Sequence, residues 1–281
     1  LLINGSQTGR IDVSDRGLLY GDGLFETIAV VDGRPRLWER HMERLEEGQR
    51  RLGFPLQDPG LIEREARSLL GEGGRGVLKI LLTRGVGGRG YRPPTQPRVT
   101  RILSLHAWPH QPLEWFRSGL RLRLCETPLA GNPRLAGIKH LNRLEQVLAR
   151  REWSDPAVAE GLMLDLQGRV IEATQANLFV LSAGHLITPD LTACGVAGVV
   201  RGLVLELARA LGLALQIRSL GQEQVLQADA LFLSNSLLGA CPVASLEGRT
   251  YDPDRLPLEL LERVNREALG DWAVARGLAR Q

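Results

Sequence analysis

Lysine is the scarcest chemically versatile residue in this sequence. Lys plus Arg come to 35, yet only Lys79 and Lys139 are lysine. Arginine can stand in wherever a positive charge is all that is wanted. It cannot shed its proton at workable pH, so it cannot serve as an amine nucleophile or form a Schiff base. Each retained lysine is therefore a question about chemistry. Lys79 lies within "VLKILL", where strand alternation turns it away from Leu78 and Ile80, toward solvent or a cleft edge. Lys139 closes the irregular, Gly- and Pro-containing "GNPRLAGIK" and directly precedes an apolar-periodic stretch. A cation at a helix start sits at the unfavourable end of the dipole, and loops held by a scaffold are where reactive groups gather.

Other residues suggest partners for such an amine. In "GRVIEATQANLF", alternation puts Val170, Glu172 and Thr174 on one strand face. Glu172 is either a surface residue or a buried acid, and a buried acid needs a cation, such as a protonated pyridine nitrogen. "CGVAGVVRGLVLELA" brings Gly195 and Gly198 to a helix start, where backbone N–H groups can receive a phosphate. "TRGVGGRGY" matches neither a P-loop nor a dinucleotide fingerprint, but it offers Arg89 for a bidentate hold on a carboxylate. No metal site is expected: His106 and His110 flank a Trp-Pro loop with no cysteine near. No G-x-S-x-G elbow occurs.

The elements that must position these groups read as mixed α and β. "LFETIAVVDGRPRLW" is a hairpin turning at Asp32-Gly33. "ERHMERLEEGQRRL" is a helix with Met42, Leu45 and Leu52 near one face, and "DPGLIEREARSLL" a second, capped by Asp58 with Pro59 first. "HLNRLEQVLARREW" reads as a helix with Leu141, Leu144 and Leu148 along one face; "VVRGLVLELARALG" is another. The expected division is a small α/β domain over 1–107, a linker over 108–118 and a larger, strand-rich domain over 119–281.

Bulk composition narrows the function classes. A net charge of +3 with interspersed acids and bases argues against a nucleic-acid partner. No apolar run is long enough for a membrane span. Cys125, Cys194 and Cys241 are odd in number and far apart, as expected of reduced thiols in a cytoplasmic protein.

Together these segments resemble the fold-type IV enzymes that use pyridoxal 5′-phosphate (PLP), which include branched-chain and D-amino-acid aminotransferases. "VSDRGLLYGDGLFETIAV", "ERHMERL", "GIKHLNRLEQVLA", "VIEATQANLFV" and "VAGVVRGLVLELA" carry the resemblance, in order along nearly the whole chain. The resemblance implies a homodimer with PLP between the two domains. It implies that Lys139 binds PLP covalently and that Glu172 pairs with the pyridinium nitrogen. Arg44 would hold the phosphate, with the backbone N–H groups of Val199 and Val200 and the side chain of Asn235 or Ser236. Arg89 would clamp a substrate carboxylate, near Thr27, Phe25 and Tyr91. Many relatives have Thr where this chain has Val200, so one hydroxyl bond is missing here. "TRGVGGRGY" and "KHLNRLEQ" favour the family's lyase branch, which turns 4-amino-4-deoxychorismate into 4-aminobenzoate and pyruvate for folate synthesis. The alternative is an aminotransferase acting on D-amino or branched-chain substrates.

Overall fold

The β-branched run after Gly23 forms the strand around which the first of two units is built. The computed structural model describes residues 1–71 and 73–270. The first unit comprises Leu1–Pro109 and Ile138–Asn142. Its elements are β1 (Leu2–Ile3), α1 (Arg16–Tyr20), β2 (Gly23–Val31), β3 (Arg34–Pro35), α2 (Trp38–Leu52), α3 (Pro59–Leu69), β4 (Arg75–Thr83) and β5 (Thr100–Ala107). The sheet runs β1-β5-β4-β2-β3 and is antiparallel throughout. Asp32 and Gly33 take φ of 51° and 69°, the left-handed pair that a tight hairpin turn requires.

One face of β2 carries Leu24, Ile28 and Val30 into a core with Met42 and Leu45 of α2, Ile62 of α3, and Ile80 and Leu82 of β4. The α3 start is capped as expected, with Asp58 accepting from Gly60 N at 2.9 Å. Residues 138–142 join this unit through main-chain pairing with the beginning of β2. Phe25 N donates to Lys139 O and Leu141 N to Gly23 O, both at 3.0 Å, while Ile138 enters the core. The sequence groups this segment with residues 119–281. Its pairing partner lies more than a hundred residues away, where local periodicity gives no sign of it.

The second unit comprises His110–Gly137 and the chain from Arg143 onward. It contains α4 (Leu113–Arg117), β6 (Leu120–Leu124), α5 (Leu144–Arg150), β7 (Glu160–Leu164), β8 (Val170–Ala173), β9 (Asn177–Ser182), β10 (His185–Pro189) and α6 (Val199–Ala210). There follow β11 (Leu215–Arg218), α7 (Gln222–Leu226), β12 (Ala230–Asn235), β13 (Gly239–Leu246), β14 (Arg249–Thr250) and α8 (Leu258–Leu269). The sheet order is β11-β10-β9-β12-β13-β6-β7-β8, with β14 on β13.

Two local expectations change. The stretch 108–118, read as linker, contains α4, whose Phe116 joins the second core. The helix expected from His140 begins only at Leu144 and ends at Arg150. Its Leu144, Val147 and Leu148 are exposed, so the apolar stripe there is not a core face of this chain. The three cysteines are free and buried, and burial pushes Cys125 up to about 12 and Cys194 up to about 11. They are thiols at neutral pH, without nucleophilic character.

Candidate active site

In the first unit, the chain's two lysines lie over one aromatic ring. Lys139 Nζ sits 4.4 Å from the Phe25 ring centroid and Lys79 Nζ sits 5.7 Å from it. The reason lies in the register of β2 and β4. Phe25 and Thr27 alternate with the core-facing Leu24 and Ile28, and Thr27 is paired directly with Lys79, so these side chains share a face. Lys79 thus looks onto the same ground as Thr27 and Lys139. Sequence alternation gets its direction right but gives no hint of this company.

Glu26, which alternates with Phe25 and Thr27 on β2, holds a buried ionic cluster whose His41 lies within electrostatic reach of Lys139. Glu26 accepts from Arg44 Nε at 2.8 Å, from Arg44 Nη2 at 2.5 Å, and from the His41 ring Nδ1 at 2.6 Å. Burial alone would push the Glu26 carboxyl up; Arg44 and His41 outweigh it and hold the group at about 2. Burial lowers the His41 pKa, against the pull of Glu26. Arg44 and His41 stand three residues apart, one helical turn, so α2 delivers both to the same carboxylate. A fork gripped on one edge in this way is oriented before any anion arrives.

In the second unit, Glu172 is buried on β8, which settles the alternatives left by its alternating strand. Its Oε2 accepts from Val196 N at 2.9 Å and from Asn177 Nδ2 at 3.3 Å. Asn177 also donates to Val196 O at 2.9 Å, and its Oδ1 accepts from Gly198 N at 3.1 Å. One amide therefore ties the acid to the start of α6. Gly198 caps that helix, without a side-chain cap bond, so the first N–H groups, Val199 and Val200 among them, lack intrahelical partners. A Cβ at Gly198 would lie 2.1 Å from Asn177 Oδ1; only glycine allows this approach.

At the end of β12 the side chains divide their work. Asn235, expected at a phosphate, is committed to its own turn. Its Oδ1 accepts from Leu237 N and Leu238 N at 2.9 and 2.7 Å, and its Nδ2 donates to Gln175 O at 3.2 Å. Ser236 is half-buried. Neighbouring Ser234 is buried, and among the described residues its hydroxyl has no hydrogen-bond partner. Ser234 stands opposite Asn177 in the ladder. Arg89 and Tyr91 are exposed on the loop after β4. Among the described residues, no group of three or more His, Cys, Asp or Glu could hold a metal.

Each unit holds groups of the kind PLP takes: the first an amine on a cationic face and an oriented guanidinium, the second a buried carboxylate and a glycine-started helix with a buried serine hydroxyl on a neighbouring strand. The family model for class IV aminotransferases matches residues 23–246. The chain belongs to this family. Among its relatives, an aminodeoxychorismate lyase of Vibrio harveyi is 37% identical over 244 residues, covering 87% of this chain and 90% of that protein. A putative branched-chain-amino-acid aminotransferase of Methanocaldococcus jannaschii is 30% identical, covering 86% and 85%. A crystal structure of 4-amino-4-deoxychorismate lyase from Pseudomonas aeruginosa superposes with a TM-score of 0.90 at 46% identity, covering 96% of this chain and 99% of that one. Within the class IV fold, sequence reasoning passes over Glu26, His41, Asn177 and Ser234. Glu26 and His41 had a usable signal, an acid on the core face of a strand and a histidine one helical turn before Arg44.

Proposed function

We propose that the chain is a PLP-dependent lyase converting 4-amino-4-deoxychorismate to 4-aminobenzoate and pyruvate. The observation that carries this reading is Lys139 poised over Phe25 on the face shared with Thr27 and Lys79. The face offers an amine, a hydroxyl and a second cation to a substrate with two carboxylates. The similarity to two proteins named as aminodeoxychorismate lyases supports the same choice.

Lys139 would hold the cofactor covalently and would, as a free amine, take the proton from the substrate carbon that bears the amine. Bound PLP supplies the electron sink for this bond breaking. Glu172 would keep a proton on the pyridine nitrogen. Arg44, the N–H groups of Val199 and Val200, and Ser236 would hold the phosphate, with Ser234 as a further donor. Arg89 and Lys79 would receive substrate carboxylates. As the ether bond to the enolpyruvyl group broke and the ring became aromatic, Thr27 would relay the proton taken by Lys139 to the departing three-carbon unit.

We assign the protein to homodimers in the cytoplasm. Leu18 and Leu19 on α1 and Leu144 and Val147 on α5 expose apolar surface suited to a second copy, and three buried free thiols suit a reducing compartment.

Purified enzyme incubated with aminodeoxychorismate should release 4-aminobenzoate and pyruvate in equal amounts. Amino-group transfer to a 2-oxo acid without 4-aminobenzoate would replace this reading with the aminotransferase one. Lys139→Arg should lose the yellow, borohydride-bleachable chromophore and more than ~10³-fold of turnover. A retained chromophore overturns the assignment of that lysine.

A further inference from the structure

We propose that Arg16 is a positioning residue: it fixes the loop over residues 87–92 and so sets where Arg89 meets substrate. The proposal rests on the substrate role given to Arg89 above. Arg16 is 3% exposed, yet its guanidinium has no part in the lysine face or the Glu26 cluster. Its donors go to the loop. Nη1 donates to Gly90 O at 3.0 Å and reaches Arg92 O at 3.5 Å, and Nη2 donates to Tyr91 O at 3.0 Å. Three successive carbonyls thus turn toward one planar fork. Nε donates to Asp22 Oδ2 at 2.9 Å, a carboxylate it shares with Arg84.

The contact continues along the side chain. A Cβ on Gly87 would lie 2.8 Å from Arg16 Cδ, so the loop rests directly on the arginine's stem. Arg16 Cζ is 4.8 Å from the Tyr20 ring centroid, and Tyr20 meets Tyr91 edge-on with centroids 5.5 Å apart. The anchor is firm at its other end. Asp22 also accepts from Arg84 Nε at 2.7 Å, and Arg84 donates to Leu52 O and Gly53 O at the end of α2. A Gly-rich stretch that looks unconstrained in sequence is therefore tied, through Arg16 and Asp22, to the helix that carries Arg44. Only arginine can do this, because a lysine presents its three donors from a single point.

The test compares Arg16→Gln, Arg16→Lys, Arg89→Gln and the double variant Arg16→Gln/Arg89→Gln in the PLP-loaded enzyme. Arg16→Gln should raise KM for aminodeoxychorismate about tenfold or more with kcat changed less than about threefold, leave the lysine-bound chromophore intact, and speed tryptic cleavage after Arg89. In the Arg89→Gln background the same substitution should add no further KM. Should Arg16→Gln fail to fold, Arg16→Lys decides by the same comparison, since it keeps the cation beside Asp22 and gives up the fork. If Arg16→Gln raises KM by the same factor in both backgrounds, Arg16 does not act through Arg89 and the proposal is overturned. If Arg89→Gln raises KM and Arg16→Gln does not, the proposal alone is overturned. If Arg89→Gln leaves KM unchanged, the substrate role of Arg89 fails first and the proposal falls with it.

Discussion

Glu26 and Glu160 are buried carboxylates, one in each unit, and they are driven in opposite directions. Burial pushes both upward. Glu26 is then pulled down to about 2 by the Arg44 guanidinium and His41. Glu160 accepts from Thr174 Oγ1 at 2.6 Å and from Gln175 N at 2.9 Å, and burial still leaves it at about 7. Neutral dipoles satisfy lone pairs without neutralising charge. The same division runs through the candidate residues of the two units. The first unit works with cations held on a carboxylate; the second works with backbone N–H groups, an asparagine and a hydroxyl around a helix start.

The contrast is most easily broken at Glu26. Glu26→Ala leaves Arg44 and His41 without their carboxylate in a buried place, which should cost about 3–5 kcal/mol of stability in urea unfolding. Affinity of the apo-protein for PLP should fall too, because Arg44 loses the grip that orients it. A loss under about 1 kcal/mol would mean that the cluster is not the buried ion pair described.

Glu160 sharpens the contrast through pH. Its pKa rises from an ordinary 4.5 to about 7 on folding, so between those values the folded state binds the proton more tightly than the unfolded chain. Its contribution to stability is fully present below about 4.5, declines as pH rises through about 7, and is level above. The total is on the order of 3 kcal/mol. Glu26 has the opposite sign: its contribution is present above 4.5 and is lost as pH falls toward about 2. Glu160→Gln removes the titration, so its stability relative to the parent protein should climb between about pH 5 and pH 7.5 in unfolding measurements. A flat difference across that window would show that Glu160 is ionised throughout.

What could be read in the sequence was local. Asp32-Gly33, Asp58-Pro59 and the run after Gly198 each specify their structure within a few residues, and each forms as expected. Lys139 stood out by its rarity, and Glu172 by its place on an apolar strand. What stayed hidden depends on pairings distant in the chain. His140 bridges Leu24, which carries Lys139 onto β2. Asn177 finds Val196 and Gly198 some twenty residues on, and Arg16 reaches a loop more than seventy residues away. The α5 stripe misled for a related reason: periodicity says that a face is apolar, not what covers it.

The smallest test lies on the dipolar side of the contrast, at Val200. It stands second in α6 and is buried, and the family often places threonine there. Val200→Thr keeps the branched shape and adds one hydroxyl. Val196 lies before the Gly198 cap, outside the helix, so the carbonyl one turn back that a helical threonine can use is not set there, and burying the hydroxyl should lower the stability of the apo-protein by about 1–3 kcal/mol. With PLP present the hydroxyl gains a phosphate oxygen, and affinity should rise by about 1 kcal/mol, roughly fivefold. Titration of the apo-protein with PLP, followed by absorbance, reads this directly. If affinity is unchanged, no phosphate lies near the hydroxyl, and the helix start is not the phosphate site.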